Sequence, residues 1–104
     1  MNELDLVLGS VEGSLLAALY CIDPDIRSKA ILSARYYSED AWLIIKQSLD
    51  LNLKYAICVL HNAIINSEAI EDLRDLVDFC KAVRRHGNKL TLDMVKDYNL
   101  PKGY

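Results

Sequence analysis

The chain has 104 residues, of which 52% are hydrophobic, and a formal net charge of −3. That length suits one domain, residues 1–104, with a modest core and no need of staples. The apolar content excludes a disordered tail, and the acidic balance argues against indiscriminate coating of DNA. Only four Gly and two Pro interrupt the sequence, which favours a few long helices over many strands and turns.

Residues 3–22 read as a first helix, with Leu4, Val7, Leu8, Val11, Leu15, Ala18, Leu19 and Ile22 at helical spacing. Gly9, Gly13 and Ala17 form a row without bulk at i, i+4 and i+8. No strand precedes this row and no Gly-Lys-Ser/Thr ending follows it, so it is not a phosphate loop. It is expected to let another helix backbone approach closely. Asp23, Pro24 and Asp25 carry the signature of a new helix start: a capping carboxylate, a proline at the first turn and an acid at the positive end of the dipole. Two carboxylates without a loop of further oxygens are not a metal site.

The second helix is expected over 24–51. Ile26, Ala30, Ala34, Tyr37, Ala41, Ile44, Ser48 and Leu51 make the face expected to meet the core, while Leu32, Tyr36 and Leu43 form one further apolar row and Ile31, Trp42 and Leu49 another. A helix that is apolar nearly all round needs partners on several sides. So small a chain has little to offer, which implies a second surface for a partner. Leu32, Tyr36, Trp42 and Leu43 are the expected anchors, since large aromatic and aliphatic side chains carry such interfaces. A turn near residues 50–52 leads to a third helix whose unbroken apolar runs suggest the central position. Cys58 and His61 lie one turn apart on it. They are the start of a thiol–base pair but too few for a protein zinc site.

Asn66 or Ser67 is placed to cap a fourth helix over 68–86. Residues 1–78 carry 6 Lys/Arg against 13 Asp/Glu, and residues 79–104 carry 6 against 2. The switch falls inside this helix, in the stretch FCKAVRRHGNKLT. Acids at its start and bases at its end both oppose the helix macrodipole's partial charges, which stabilises the helix. Gly87 is expected to be a left-handed C-cap. Thr91 can cap a short last helix over 92–98, which Pro101 prevents from extending far. Lys81, Arg84, Arg85 and Lys89 also make a positive surface that suits phosphates or an acidic partner.

The stretch ARYYSEDAWLIIKQSLDLNLKYAICVLHNAI, residues 34–64, loosely resembles HEPN domains. That resemblance implies a helical bundle, often dimeric. Active RNases of that family carry an Arg, four to six intervening residues and a His, a spacing that neither His61 nor His86 satisfies.

The expected fold is all-α, an antiparallel bundle of four helices plus a short C-terminal helix. The expected function is a small non-enzymatic cytoplasmic interaction module, a homodimer or an accessory subunit docking on another protein. The alternative is a nucleic-acid-binding module using Lys81, Arg84, Arg85 and Lys89. With no catalytic motif, Cys58, His61 and His86 are the only groups an enzyme would draw on, and no cofactor or metal is implied. Three isolated cysteines, Cys21, Cys58 and Cys80, suggest reduced thiols. No apolar run approaches the ~20 residues that span a bilayer.

Overall fold

The computed structural model describes residues 2–67, 70–98 and 100. Four helices, α1 (Glu3–Tyr20), α2 (Pro24–Ile45), α3 (Leu51–Ile65) and α4 (Ile70–His86), are followed by a 3₁₀ turn (Gly87–Lys89) and a short α5 (Leu92–Lys96). No strand occurs among the described residues, so the all-α bundle expected from the sequence is the observed fold. Short connections force each helix to run back along its predecessor. α1 packs on α2 and α4, and α3 packs on α2 and α4, so the four form a ring in chain order.

The helix starts are fixed by the residues that the sequence singles out. Asp23 accepts hydrogen bonds from the Asp25 and Ile26 amides at 2.9 and 3.4 Å, with Pro24 in the first turn. Thr91 Oγ1 accepts from the Met94 amide at 3.3 Å. Each such cap satisfies an amide that has no partner within its own helix. The end of α1 is satisfied from outside. Its last turn holds no basic residue, and Arg27 of α2 donates from Nε to the Ala18 carbonyl at 3.2 Å and from Nη2 to the Cys21 carbonyl. A cation at a helix C-terminus complements the dipole while filling orphan carbonyls. Arg27→Ala should therefore destabilise the chain by about 1 kcal/mol, read as a lower urea midpoint with an unchanged m-value.

Several boundaries and roles differ from the sequence reading. α2 ends at Ile45 rather than residue 51, because the chain turns over residues 46–50 and hands its polar groups to the next helix. Ser48 Oγ accepts from the Asp50 amide at 3.0 Å, and Asp50 Oδ1 accepts from the Leu53 amide at 3.1 Å, capping α3. Asn66 closes α3 instead of opening α4, its side-chain amide donating to the Asn62 carbonyl at 2.8 Å. The expected start of the fourth helix at residue 68 and the stop at Pro101 lie outside the described residues.

Gly87 is not a left-handed cap, since its φ does not fall in that region. The chain instead tightens into the 3₁₀ turn, and a Cβ at Gly87 would run into Leu53 Cδ1 of α3. The glycine permits a close approach between this turn and α3. The row Gly9, Gly13 and Ala17 receives no helix backbone. Gly9 lies under the Arg84 guanidinium, where a Cβ would be 3.4 Å from Nη2. Gly13 and Ala17 line an open groove between α1 and α2.

The core is built from Leu8, Val11 and Leu15 of α1, Ile57, Leu60 and Ile64 of α3, and Leu73, Leu76, Phe79 and Val83 of α4. α2 contributes mostly small side chains, Ala34, Ser38 and Ala41, so it sits close to its neighbours and spends little of its bulk inward.

Candidate functional site

The bulk that α2 withholds from the core faces outward. At 3.6 residues per turn, Leu32, Tyr36 and Leu43 fall within about 40° of one another on the helix. They are 59%, 63% and 49% exposed. Tyr36 is held against Tyr37 edge to face, with ring centroids 5.6 Å apart and planes at 79°. Tyr37 in turn packs on the core, so Tyr36 stands on a fixed base. Charged and polar side chains flank this row. Ser28, Arg35, Glu39 and Lys46 lie toward α3, and Lys29 and Asp40 toward α1. Trp42 is placed differently from the other expected anchors: it is half-buried and packed against the core cluster.

Sequence reasoning missed a second row on α3. Leu51, Tyr55 and Ile65 are 73%, 41% and 46% exposed, with half-buried Cys58 and Asn62 between them. α3 is one side of a four-membered ring, not the centre, so its outer face stays open. The available signal was the spacing 51, 55, 58, 62, 65, in which every residue is uncharged. Leu49, 96% exposed in the turn between α2 and α3, adds to this side of the molecule.

Between the two rows runs a polar seam. Ser38 is fully buried, and its hydroxyl donates to the Arg35 carbonyl at 2.9 Å. With its proton so used, Ser38 Oγ accepts from His61 Nδ1 at 2.7 Å, which leaves the lone pair of neutral His61 on Nε2. Burial lowers the His61 pKa below its ordinary value of 6.5, against an upward pull from Glu39. Cys58 Sγ accepts from Asn62 Nδ2 at 3.4 Å. The two groups that stand one turn apart in the sequence are thus each bonded to a different partner. Arg35 Nε is buried with no hydrogen-bond partner among the described residues. Cys80 is fully buried and donates to the Leu8 carbonyl at 3.6 Å, and burial pushes its thiol up to about 12, which leaves it unreactive. His86 is exposed at the end of α4.

The basic segment is only partly free. Arg84 reaches across Gly9 to α1, with Nη1 3.3 Å from Glu12 Oε1 and Nε 3.7 Å from Asp5 Oδ1. Asp5, Gly9 and Glu12 occupy one side of α1 at i, i+4 and i+7, so the guanidinium lies over Gly9 between the two carboxylates, at a distance where a Cβ would make ordinary contact. Lys81 and Arg85 line the same groove as these two carboxylates. A polyphosphate entering it meets two anions as well as three cations. Lys89 lies apart on the 3₁₀ turn, exposed. At the adjoining end of the bundle Arg84 and Arg85 share a cavity of about 260 Å³ with Asp5, Asp50, Leu4 and Leu53. That is below the ~300–1,000 Å³ of ordinary ligand pockets.

Among the described residues no group of three or more His, Cys, Asp or Glu could hold a metal ion, and no helix is long and apolar enough to cross a membrane. No known family matches the chain, and neither a curated protein nor a solved structure matches it.

Proposed function

We propose that this chain is a small non-enzymatic interaction module that assembles through the outer face of α2, with itself or as the accessory subunit of a larger complex. One observation carries the proposal: Leu32, Tyr36 and Leu43 stand half to two-thirds exposed in a single row on the longest helix. Burying large apolar side chains gains about 1.5–3 kcal/mol each, and a helix that leaves three in one row exposed forgoes that gain unless a partner supplies the cover. The open row on α3 widens the same side of the molecule. Three unpaired thiols fit a reducing compartment, and we assign the protein to the cytoplasm on that basis.

Light scattering on a sizing column tests the proposal. The parent should run as an assembly, and Leu32→Glu/Leu43→Glu should run as a monomer of about 11.8 kDa with undiminished helicity. Trp42 is the weaker probe, because a charge at that half-buried position reports on folding as well as association. A parent that stays monomeric at high concentration removes self-assembly; an assembly indifferent to the double substitution removes α2 as its seat.

A further inference from the structure

We infer that the cavity shared by Arg84, Arg85 and Asp50 is a binding site for a small zwitterion with an apolar body, a free aliphatic α-amino acid. The site stands apart from the interaction reading, since Leu32, Tyr36 and Leu43 do not line it. Its walls come from the start of α1, the start of α3, and the end of α4 with the 3₁₀ turn that follows. Gly87 lets that turn approach α3, and Asn52 ties the two together by donating from Nδ2 to the Asn88 carbonyl at 3.4 Å. The cavity is therefore held by contacts between elements far apart in sequence.

Size and apolar lining restrict the ligand. At the ~30 Å³ that a water claims in the liquid, a cavity of about 260 Å³ has the volume of about nine waters. That suits a molecule the size of leucine and excludes a nucleotide. Leu4, Leu8, Leu53 and Val83 supply the apolar wall. Leu8 and Val83 are buried, and Leu4 and Leu53 pack on the core, so the wall is firm. It offers cover to an aliphatic group, as ligand sites ordinarily do.

Charge restricts the ligand further. Four charged residues line the cavity: Asp5, Asp50, Arg84 and Arg85. Arg84 lies between Asp5 and Glu12, so that cation and those carboxylates are matched within the chain. Arg85 and Asp50 are not. Arg85 is exposed and takes part in neither of the ion pairs found among the described residues. Asp50 spends Oδ1 on the Leu53 amide, and its Oδ2 has no hydrogen bond among the described residues. These two opposite charges belong to different helices and line one cavity without pairing with each other. A ligand carrying one charge of each sign spans them. Its carboxylate accepts a bidentate pair of N–H···O bonds from Arg85, and its ammonium donates to Asp50. A phosphate or dicarboxylate would instead meet Asp50, and a diamine would meet Arg85, so ligands of a single sign are disfavoured.

A ¹H–¹⁵N NMR titration with L-leucine tests the inference. The amides of Leu53, Arg85 and Gly87 should shift saturably. Isocaproate, which lacks the ammonium, and isopentylamine, which lacks the carboxylate, should each bind about tenfold or more weakly, because each leaves one charged group unmatched. Arg85→Gln and Asp50→Asn should each weaken L-leucine by a similar factor. Asparagine caps a helix as well as aspartate does, so Asp50→Asn removes the charge and keeps the start of α3. Circular dichroism on both variants separates lost binding from lost folding. The absence of saturable shifts with L-leucine at any soluble concentration overturns the inference. So does isocaproate or isopentylamine binding as tightly as L-leucine, which would make the cavity a site for one sign of charge, and so does an affinity indifferent to both substitutions. None of these outcomes touches the assembly reading, whose test is the mass of the parent.

Discussion

Replacing Phe79 by Ala should remove about 3–5 kcal/mol of stability, the largest single loss among the substitutions considered. Phe79 is the largest of the fully buried side chains and sits on the inner face of α4. Its ring meets Tyr98 edge to face, with centroids 5.1 Å apart and planes at 61°. Tyr98 follows α5, a helix of only five residues that cannot be stable on its own. Phe79 is thus both a core residue and part of the seat of the C-terminal segment, whose Leu90, Val95 and Leu100 are likewise buried. Against a total of about 5–15 kcal/mol for an ordinary domain, a loss of this size leaves a chain barely folded at room temperature. The check is chemical denaturation: a sharply lower urea midpoint for Phe79→Ala, and a smaller drop for Tyr98→Ala. A double-mutant cycle between them should return a coupling of about 0.5–1.5 kcal/mol for the aromatic pair. A loss below about 1 kcal/mol for Phe79→Ala would mean that the site collapses to fill the void.

The fold was legible because its signals are local. Asp23 and Pro24, or Thr91 ahead of Leu92, announce a helix start within three or four residues, and the structure uses both caps as read. Interactions across the ring were not legible. Arg84 finds Asp5 and Glu12 more than seventy residues away in sequence, and Ser38 finds His61 across 23. Nothing in a charge count reveals that Arg84 of the basic segment is bound by two carboxylates of α1. Composition also misplaced α3. An apolar helix looks the same in sequence whether its neighbours cover it or leave one face open, so the run 55–65 suggested a centre where the structure has a side of the ring. The outer row of α2 was readable for a particular reason. Its opposite face holds Ala30, Ala34 and Ala41, so the large residues outside that strip had to point elsewhere. Trp42, on the boundary between the two faces, was the anchor whose burial spacing alone could not settle.

The seam between the two outer rows carries the second large effect. Ser38→Ala removes the acceptor for His61 Nδ1–H and leaves that donor half-buried without a partner, at about 1–3 kcal/mol. The Arg35 carbonyl loses only an extra donor, since it still accepts within the helix. Removing both polar partners with Ser38→Ala/His61→Leu should recover most of the loss, because the penalty belongs to the stranded group and not to the missing bond. pH supplies an independent readout. The folded state holds the His61 pKa below the 6.5 of the unfolded chain, so between those two values the unfolded state binds more protons. The contribution of His61 is then fully present above pH 6.5, declines as the pH falls below it, and stops changing once the pH passes the folded pKa. His61→Leu should abolish that decline. Glu39 opposes the shift, so Glu39→Gln should deepen the decline. Urea midpoints taken from pH 8 to pH 5 on the parent and these variants test the sign, and a parent whose stability rises on acidification through this range would show that His61 prefers its charged form in the seam.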